Sequence, residues 1–167
     1  MGRSVVVVSA SALVLGLVGG ATLAAPAPIP YMDADQTPSA IPGLDPANVR
    51  ATVPADLKWH KSEYSERAML WGNPDKPGPY GYLIRFQPGH NSSPHYHNSD
   101  REGFVLSGTF YNSHSPKEDR STLKPIPAGS YVKHVAGKVH WDGALDGPVL
   151  VLMTGIGPVK TTRIPQN

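Results

Sequence analysis

The sequence predicts an all-β protein, a small barrel or sandwich with little helix, preceded by a signal peptide and a proline-rich arm. Three observations point there. Pro (18) and Gly (17) make up about a fifth of the 167 residues, which disfavours a helical bundle and suits short strands joined by turns. From Leu57 onward, β-prone runs alternate with turn clusters. Within residues 80–87, Tyr80, Tyr82, Ile84 and Phe86 recur with the two-residue period of a strand.

Taken in chain order, the first element is an address. Arg3 is the only charge before Asp33, and residues 4–25 are apolar or small throughout. A positive start, an apolar stretch and small residues at its end describe a secretory signal peptide, expected to be cut after Ala24. An uncleaved anchor is the alternative, since the run is long enough to cross a bilayer. The Gly-rich end favours cleavage. The expected division is therefore a signal peptide over 1–24, an arm or linker over 25–56 and the barrel domain over 57–167. The mature protein is expected to be exported, periplasmic or secreted, with no stable membrane anchor after processing. The arm carries seven prolines (Pro26, Pro28, Pro30, Pro38, Pro42, Pro46 and Pro54), a spacing that no helix runs through. It reads as an extended segment lying free, across the domain or across a partner subunit.

In the barrel region, only residues 60–70 have room for a helical turn or two. Strands are expected at 80–87, 103–111, 130–135, 149–154 and 159–164. The clusters at 73–79, 87–94, 124–129 and 145–148 are rich in Pro, Gly, Asn and Asp and read as turns. Tyr82, Ile84 and Phe86 share one face, and Val149, Val151 and Met153 share another. Such walls form either an ordinary core or the lining of a small-molecule pocket.

Composition excludes several functions. There are 15 Lys+Arg against 13 Asp+Glu, a net charge of +2, and no basic run, so nucleic acid is not an expected partner. The absence of cysteine rules out disulfides, Cys-ligated zinc, iron–sulfur clusters and a Cys nucleophile. No serine-hydrolase elbow, zincin helix or P-loop motif occurs. Asn91-Ser92-Ser93 matches a glycosylation acceptor, a weak signal in isolation.

Seven histidines remain: His60, His90, His95, His97, His114, His134 and His140. His95 and His97 stand at i and i+2, which on a strand aims both imidazoles at one point. Imidazole suits Zn, Cu, Fe and Ni, and a distant segment must then supply a further ligand. His140, after the turn 136–139, is the best third candidate. His134 is expected to have a non-ligand role, lining the cavity or facing solvent. His60, His90 and His114 read as surface residues, and Trp141 as packing.

The order is Gly89, five residues, His95-Tyr96-His97, then four residues to Glu102; later come Gly129, Gly137, two residues and His140. This resembles the two motifs of the cupin superfamily, G-x5-H-x-H-x3,4-E-x6-G and G-x5-P-x-G-x2-H-x3-N. The resemblance covers roughly residues 57–164, and the text around the motifs is similar to small bacterial single-domain cupins. It implies a double-stranded β-helix, or jelly-roll, barrel holding one divalent metal on His95, His97, Glu102 and His140. Fe(II) is the first expectation, with Zn, Mn or Ni as alternatives.

Two departures bear on that ligand set. Only five residues separate Glu102 from Gly108; counting back from Gly108 puts Arg101 at the carboxylate position. Either a local bulge turns Glu102 inward, or the centre is three-His and Arg101 faces it as a fixed cation that attracts an anionic substrate. In the second motif, Val135 and Ala144 stand where the family has Pro and Asn. The resemblance implies action on a small organic molecule, dioxygenase-type first, isomerase or lyase next, with Tyr82 or a carboxylate available as acid or base. The other reading is a non-catalytic exported cupin that binds or senses a ligand or metal. A homodimer is expected, because a barrel's sheet edges need cover.

Overall fold

The computed structural model describes residues 36–166. The expected signal peptide and the start of the arm lie outside the described residues. Eleven strands account for the regular structure: β1 (His60–Lys61), β2 (Glu66–Trp71), β3 (Gly78–Phe86), β4 (His95–His97), β5 (Arg101–Ser107), β6 (Thr109–Ser113), β7 (Lys124–Pro127), β8 (Tyr131–His134), β9 (Trp141–Gly143), β10 (Val149–Gly157) and β11 (Thr161–Arg163). Two single-turn 3-10 segments, Pro54–Asp56 and Arg120–Thr122, are the only helical pieces among the described residues. No described helix is long and apolar enough to cross a membrane.

All strand pairs are antiparallel. A six-stranded sheet runs in the order β1-β2-β3-β10-β5-β8. β10, near the end of the sequence, lies between β3 and β5, so distant segments interleave as in a jelly roll. A three-stranded sheet, β7-β6-β9, and the pair β11-β4 make up the rest. Single bridges, His95↔His140 and Asn91↔Gly143, tie β4 and the loop before it to the segment around β9.

The two-residue periods set the core. Tyr80, Tyr82, Ile84 and Phe86 of β3 are buried, as are Val149, Val151 and Met153 of β10, and they pack with Val105, Phe110 and Ala144. Trp141 is fully buried, as expected of a packing residue.

Several expectations need correction. Residues 60–70 hold no helix; they form β1 and β2. Ala68 opposite Leu83 and Met69 opposite Tyr82 gain their burial from the β3 ladder, a tertiary context that a single segment does not display. The expected strand 103–111 is two strands, broken at Gly108 (φ +74°), where the chain passes from the six-stranded to the three-stranded sheet. The turn cluster 124–129 contains β7, whose Pro125 and Pro127 are tolerated because β7 is an edge strand. Over its described part the arm is not extended. Ser39 N–H donates to Ala51 C=O (2.8 Å), Val53 N–H to Ser39 Oγ (2.9 Å) and Lys58 N–H to Gln36 Oε1 (2.8 Å), folding residues 36–58 into a closed loop.

Candidate metal centre

β4 is three residues long, and its two ends are the histidines. β11 fixes its register, with Thr161 opposite His97 and Arg163 opposite His95. The loop that leads into it is pinned by Arg120, which donates to Gly89 C=O (2.7 Å) and Asn91 Oδ1 (3.0 Å). Asn91, the potential glycosylation acceptor, is buried and donates to Glu118 (2.8 Å). His140 is attached through the main chain: His95 N–H donates to His140 C=O (2.9 Å) and the reverse bond measures 2.8 Å. Gly137 N–H, in the turn before His140, reaches His97 C=O (2.8 Å).

These bonds bring the three imidazoles together. Ring centroids are 4.8 Å apart for His95–His97, 4.6 Å for His95–His140 and 5.2 Å for His97–His140. One ring nitrogen from each lies within 4.8 Å of the others, and all three residues are buried. The Nδ1 atoms are already engaged: His95 with Ser93 C=O (2.6 Å), His140 with Lys138 C=O (3.1 Å), His97 with the Thr161 hydroxyl (3.0 Å). A carbonyl only accepts, so Nδ1 of His95 and His140 carries the proton and Nε2 keeps its lone pair. Nε2 of His97 and of His140 is buried with no partner. Unprotonated, unsatisfied, converging nitrogens are the donor set that a divalent metal needs, with the Nδ1 contacts orienting each ring. The residues present fit such a metal.

Electrostatics agree with neutral imidazoles. Burial, reinforced by the Arg101 guanidinium, pushes His97 down to about 2. Burial brings His140 down to about 4 against the opposing pull of Asp142, and burial together with the His140 ring holds His134 well below the usual histidine range.

Glu102 is not part of the centre. β5 alternates, with Arg101, Gly103 and Val105 inward and Glu102, Phe104 and Leu106 outward. The bulge exists, but it falls at Leu106, between the pairs Val151↔Val105 and Leu150↔Ser107, too late to turn Glu102 inward. Pairing with β8 settles the faces: Glu102 opposes Lys133 outside, and Arg101 opposes His134 inside. Arg101 donates to the Tyr82 hydroxyl (3.2 Å) and to His134 Nδ1 (3.2 Å).

Two residues of this neighbourhood, His134 and Asp142, were not among the ligands expected from the sequence. Asp142 is buried, and His134, His140 and Asp142 each place one donor atom within 4.8 Å of the others. The His134 ring stacks on His140 at 3.9 Å. Its Nδ1 is taken by Arg101 and its Nε2 lies 3.0 Å from the Asn112 side-chain amide, so His134 supports the centre rather than offering a free lone pair. The i, i+2 spacing of His140 and Asp142 is the same signal that singled out His95 and His97. A cavity of about 300 Å³, lined by Arg101, His134 and Asp142 together with Ile84, Phe86, Phe110 and Met153, meets the cluster through His134, whose ring stacks on His140.

Comparison with known proteins adds the following. The family described as "Domain of unknown function (DUF4437)" matches residues 55–157. No curated protein matches the sequence. Among solved structures, the polyketide cyclase RemF from Streptomyces resistomycificus is 17% identical, with 67% of this chain and 84% of that chain covered at a TM-score of 0.54. Oxalate decarboxylase from Bacillus subtilis is 14% identical over 66% of this chain and 30% of its own, TM-score 0.52. The DMSP lyase DddQ from Ruegeria pomeroyi DSS-3 is 14% identical over 65% and 61%, TM-score 0.50. At these identities the likeness is one of fold, and the shared fold is that of the cupins.

Proposed function

This chain belongs to the family described as Domain of unknown function (DUF4437) and has the cupin fold, and on that premise we propose that it is an exported metalloenzyme acting on a small organic molecule by dioxygenase-type chemistry. The observation that carries the metal is the set of buried imidazoles on His95, His97 and His140, with Nδ1 engaged and Nε2 of His97 and His140 unsatisfied. A metal held there supplies Lewis acidity and, as Fe(II), one-electron chemistry with O2. Imidazole nitrogens suit Fe, Zn and Ni alike; Fe(II) is put first because a three-histidine centre resembles those of oxygen-using cupins, and Zn, Mn and Ni remain open to the same ligands.

The protein's own residues do the rest. The 300 Å³ cavity offers an apolar wall, and the buried Arg101 presents a fixed cation to it. Tyr82, buried with its hydroxyl accepting from Arg101, is placed to orient that cation. Export rests on the apolar segment 4–25. Pairing of two copies is supported by β8, the edge of the six-stranded sheet, beside exposed Phe104 and Tyr131.

The test is chemical. Protein purified without an affinity tag is expected to carry close to one equivalent of metal, lost in His95→Ala and in His140→Ala, and to consume O2 with one member of a panel of diketones, catechols and thiols. The exported chain is expected to start at Ala25 by mass spectrometry and to run as a dimer in light scattering. Wild-type protein that takes up no metal even on reconstitution overturns the metal reading. Bound metal with no turnover points instead to a binding or sensing cupin.

A further inference from the structure

The cavity beside the imidazoles contains positive charge that the protein does not neutralise. Arg101 is 8% exposed, and among the described residues no carboxylate stands within ion-pair distance of it. A guanidinium has five N–H donors in a planar fork. One reaches Tyr82, another reaches His134, and Nε is buried with no partner at all. Removing a cation from water without a counter-charge is costly, so such a group is expected to meet its anion from elsewhere.

The neighbouring acid does not fill that role. Asp142 accepts from the Ser92 hydroxyl (3.4 Å) and faces His134 Nε2 at 3.8 Å. A second guanidinium is close: Arg67, also on the cavity, lies over the Tyr82 ring at 5.2 Å. Thus Arg67 holds the face of the same tyrosine whose hydroxyl Arg101 holds. The remaining cations at the mouth have partners, Lys61 with Glu66 (3.8 Å) and Arg163 with Glu63 (3.9 Å). Arg101 and Arg67 are left facing one space.

We propose that this cavity binds a small organic carboxylate, with the carboxylate group on Arg101 and Arg67 and the carbon body against Ile84, Phe86, Phe110 and Met153. The planar fork of Arg101 matches a carboxylate by two parallel hydrogen bonds, and the apolar wall favours a hydrocarbon or aromatic body over a polyanion. About 300 Å³ suits a compact acid. This rests on the reading of the barrel as a substrate-binding cupin and names the substrate class. It places the acid beside His134, whose ring stacks on His140.

The probe is benzoate, with benzamide as its uncharged isostere, titrated calorimetrically into the full exported chain as purified and again after chelation. Benzoate is expected to bind saturably and benzamide at least about tenfold more weakly. Arg101→Gln is expected to lose benzoate affinity by about tenfold or more, Arg101→Lys to keep part of it, and the outer-face variant Glu102→Gln to keep all of it. Should Arg101→Gln not fold, the exposed Arg67→Gln takes its place, with a severalfold loss expected. Equal affinity for acid and amide, no saturable binding of either, or benzoate binding indifferent to the arginine that can be tested would each overturn the proposal. Metal content of the same samples separates the two readings. Arg101-dependent benzoate binding in a wild-type protein that takes up no metal even on reconstitution sinks the metal reading alone; a metal-loaded protein indifferent to Arg101 sinks this one alone.

Discussion

Thr161 faces His97 across the β4–β11 pair, and its hydroxyl lies 3.0 Å from His97 Nδ1. That contact fixes the ring while the opposite nitrogen, Nε2, stays buried and unpaired. An unsatisfied buried polar group costs about 1–3 kcal/mol, which a metal bond to Nε2 would remove. Outer contacts of this kind typically change metal affinity about 10–100-fold. Thr161→Val keeps the shape and deletes the hydroxyl, so its metal affinity, measured by competition with a chromophoric chelator, is expected to fall within that range. Glu102→Gln is expected to leave it unchanged, because Glu102 is exposed on the outer face of β5. An equal loss in both variants would contradict the three-histidine assignment.

β5 shows how an element decides which residue reaches the site. Its inward set, Arg101, Gly103 and Val105, is fixed by pairing with β10 on one side and β8 on the other. It ends at Gly108, where φ is +74° and an added Cβ would stand 2.2 Å from Pro148 C=O. Gly108→Ala therefore incurs both left-handed backbone strain and a backbone clash, and is expected to destabilise by about 2 kcal/mol or more. A urea unfolding midpoint within a few tenths of wild type would show that this corner is softer than its geometry. The same glycine was the legible clue to register. Leaving six residues between it and Gly108 puts the carboxylate position at Arg101, whereas counting forward from His97 leaves both Arg101 and Glu102 allowed. The sequence could not show where the extra residue of the bulge sits, because Leu106 is exposed and carries no pattern of its own. β2 was hidden for a related reason. Met69, Leu70 and Trp71 are consecutive apolar residues with no two-residue alternation, and their strand state comes from the β3 ladder.

At the scale of the whole molecule, the jelly roll forces chemistry from three distant segments into one interior. The faces of β3 and β10 and the i, i+2 histidine pair were visible because strand period alone produces them. The approach of His134 and Asp142 was not, because it depends on β8 and β9 closing over β5 and β6. That closure buries His97, His134 and His140 as neutral rings against Arg101, with Asp142 and the Lys138 carbonyl favouring charge on His140. In the metal-free protein their folded values lie below the unfolded value of about 6.5, with His140 at about 4 and His97 at about 2. Between the folded and unfolded values, the unfolded chain binds protons that the folded chain excludes. Stability is therefore complete above about pH 6.5 and is lost as pH falls toward those folded values. Each histidine kept neutral contributes a slope of about 1.4 kcal/mol per pH unit. Chelator-treated protein is accordingly expected to show a urea midpoint that declines steeply from pH 6.5 to pH 4.5 and stays level from pH 7 to pH 8. Metal added at pH 7 is expected to raise the midpoint and to lose that effect on acidification, because protons and metal compete for the same ring nitrogens. A flat acid limb would mean that the rings are solvated in solution, and the enclosed three-histidine centre would have to be abandoned.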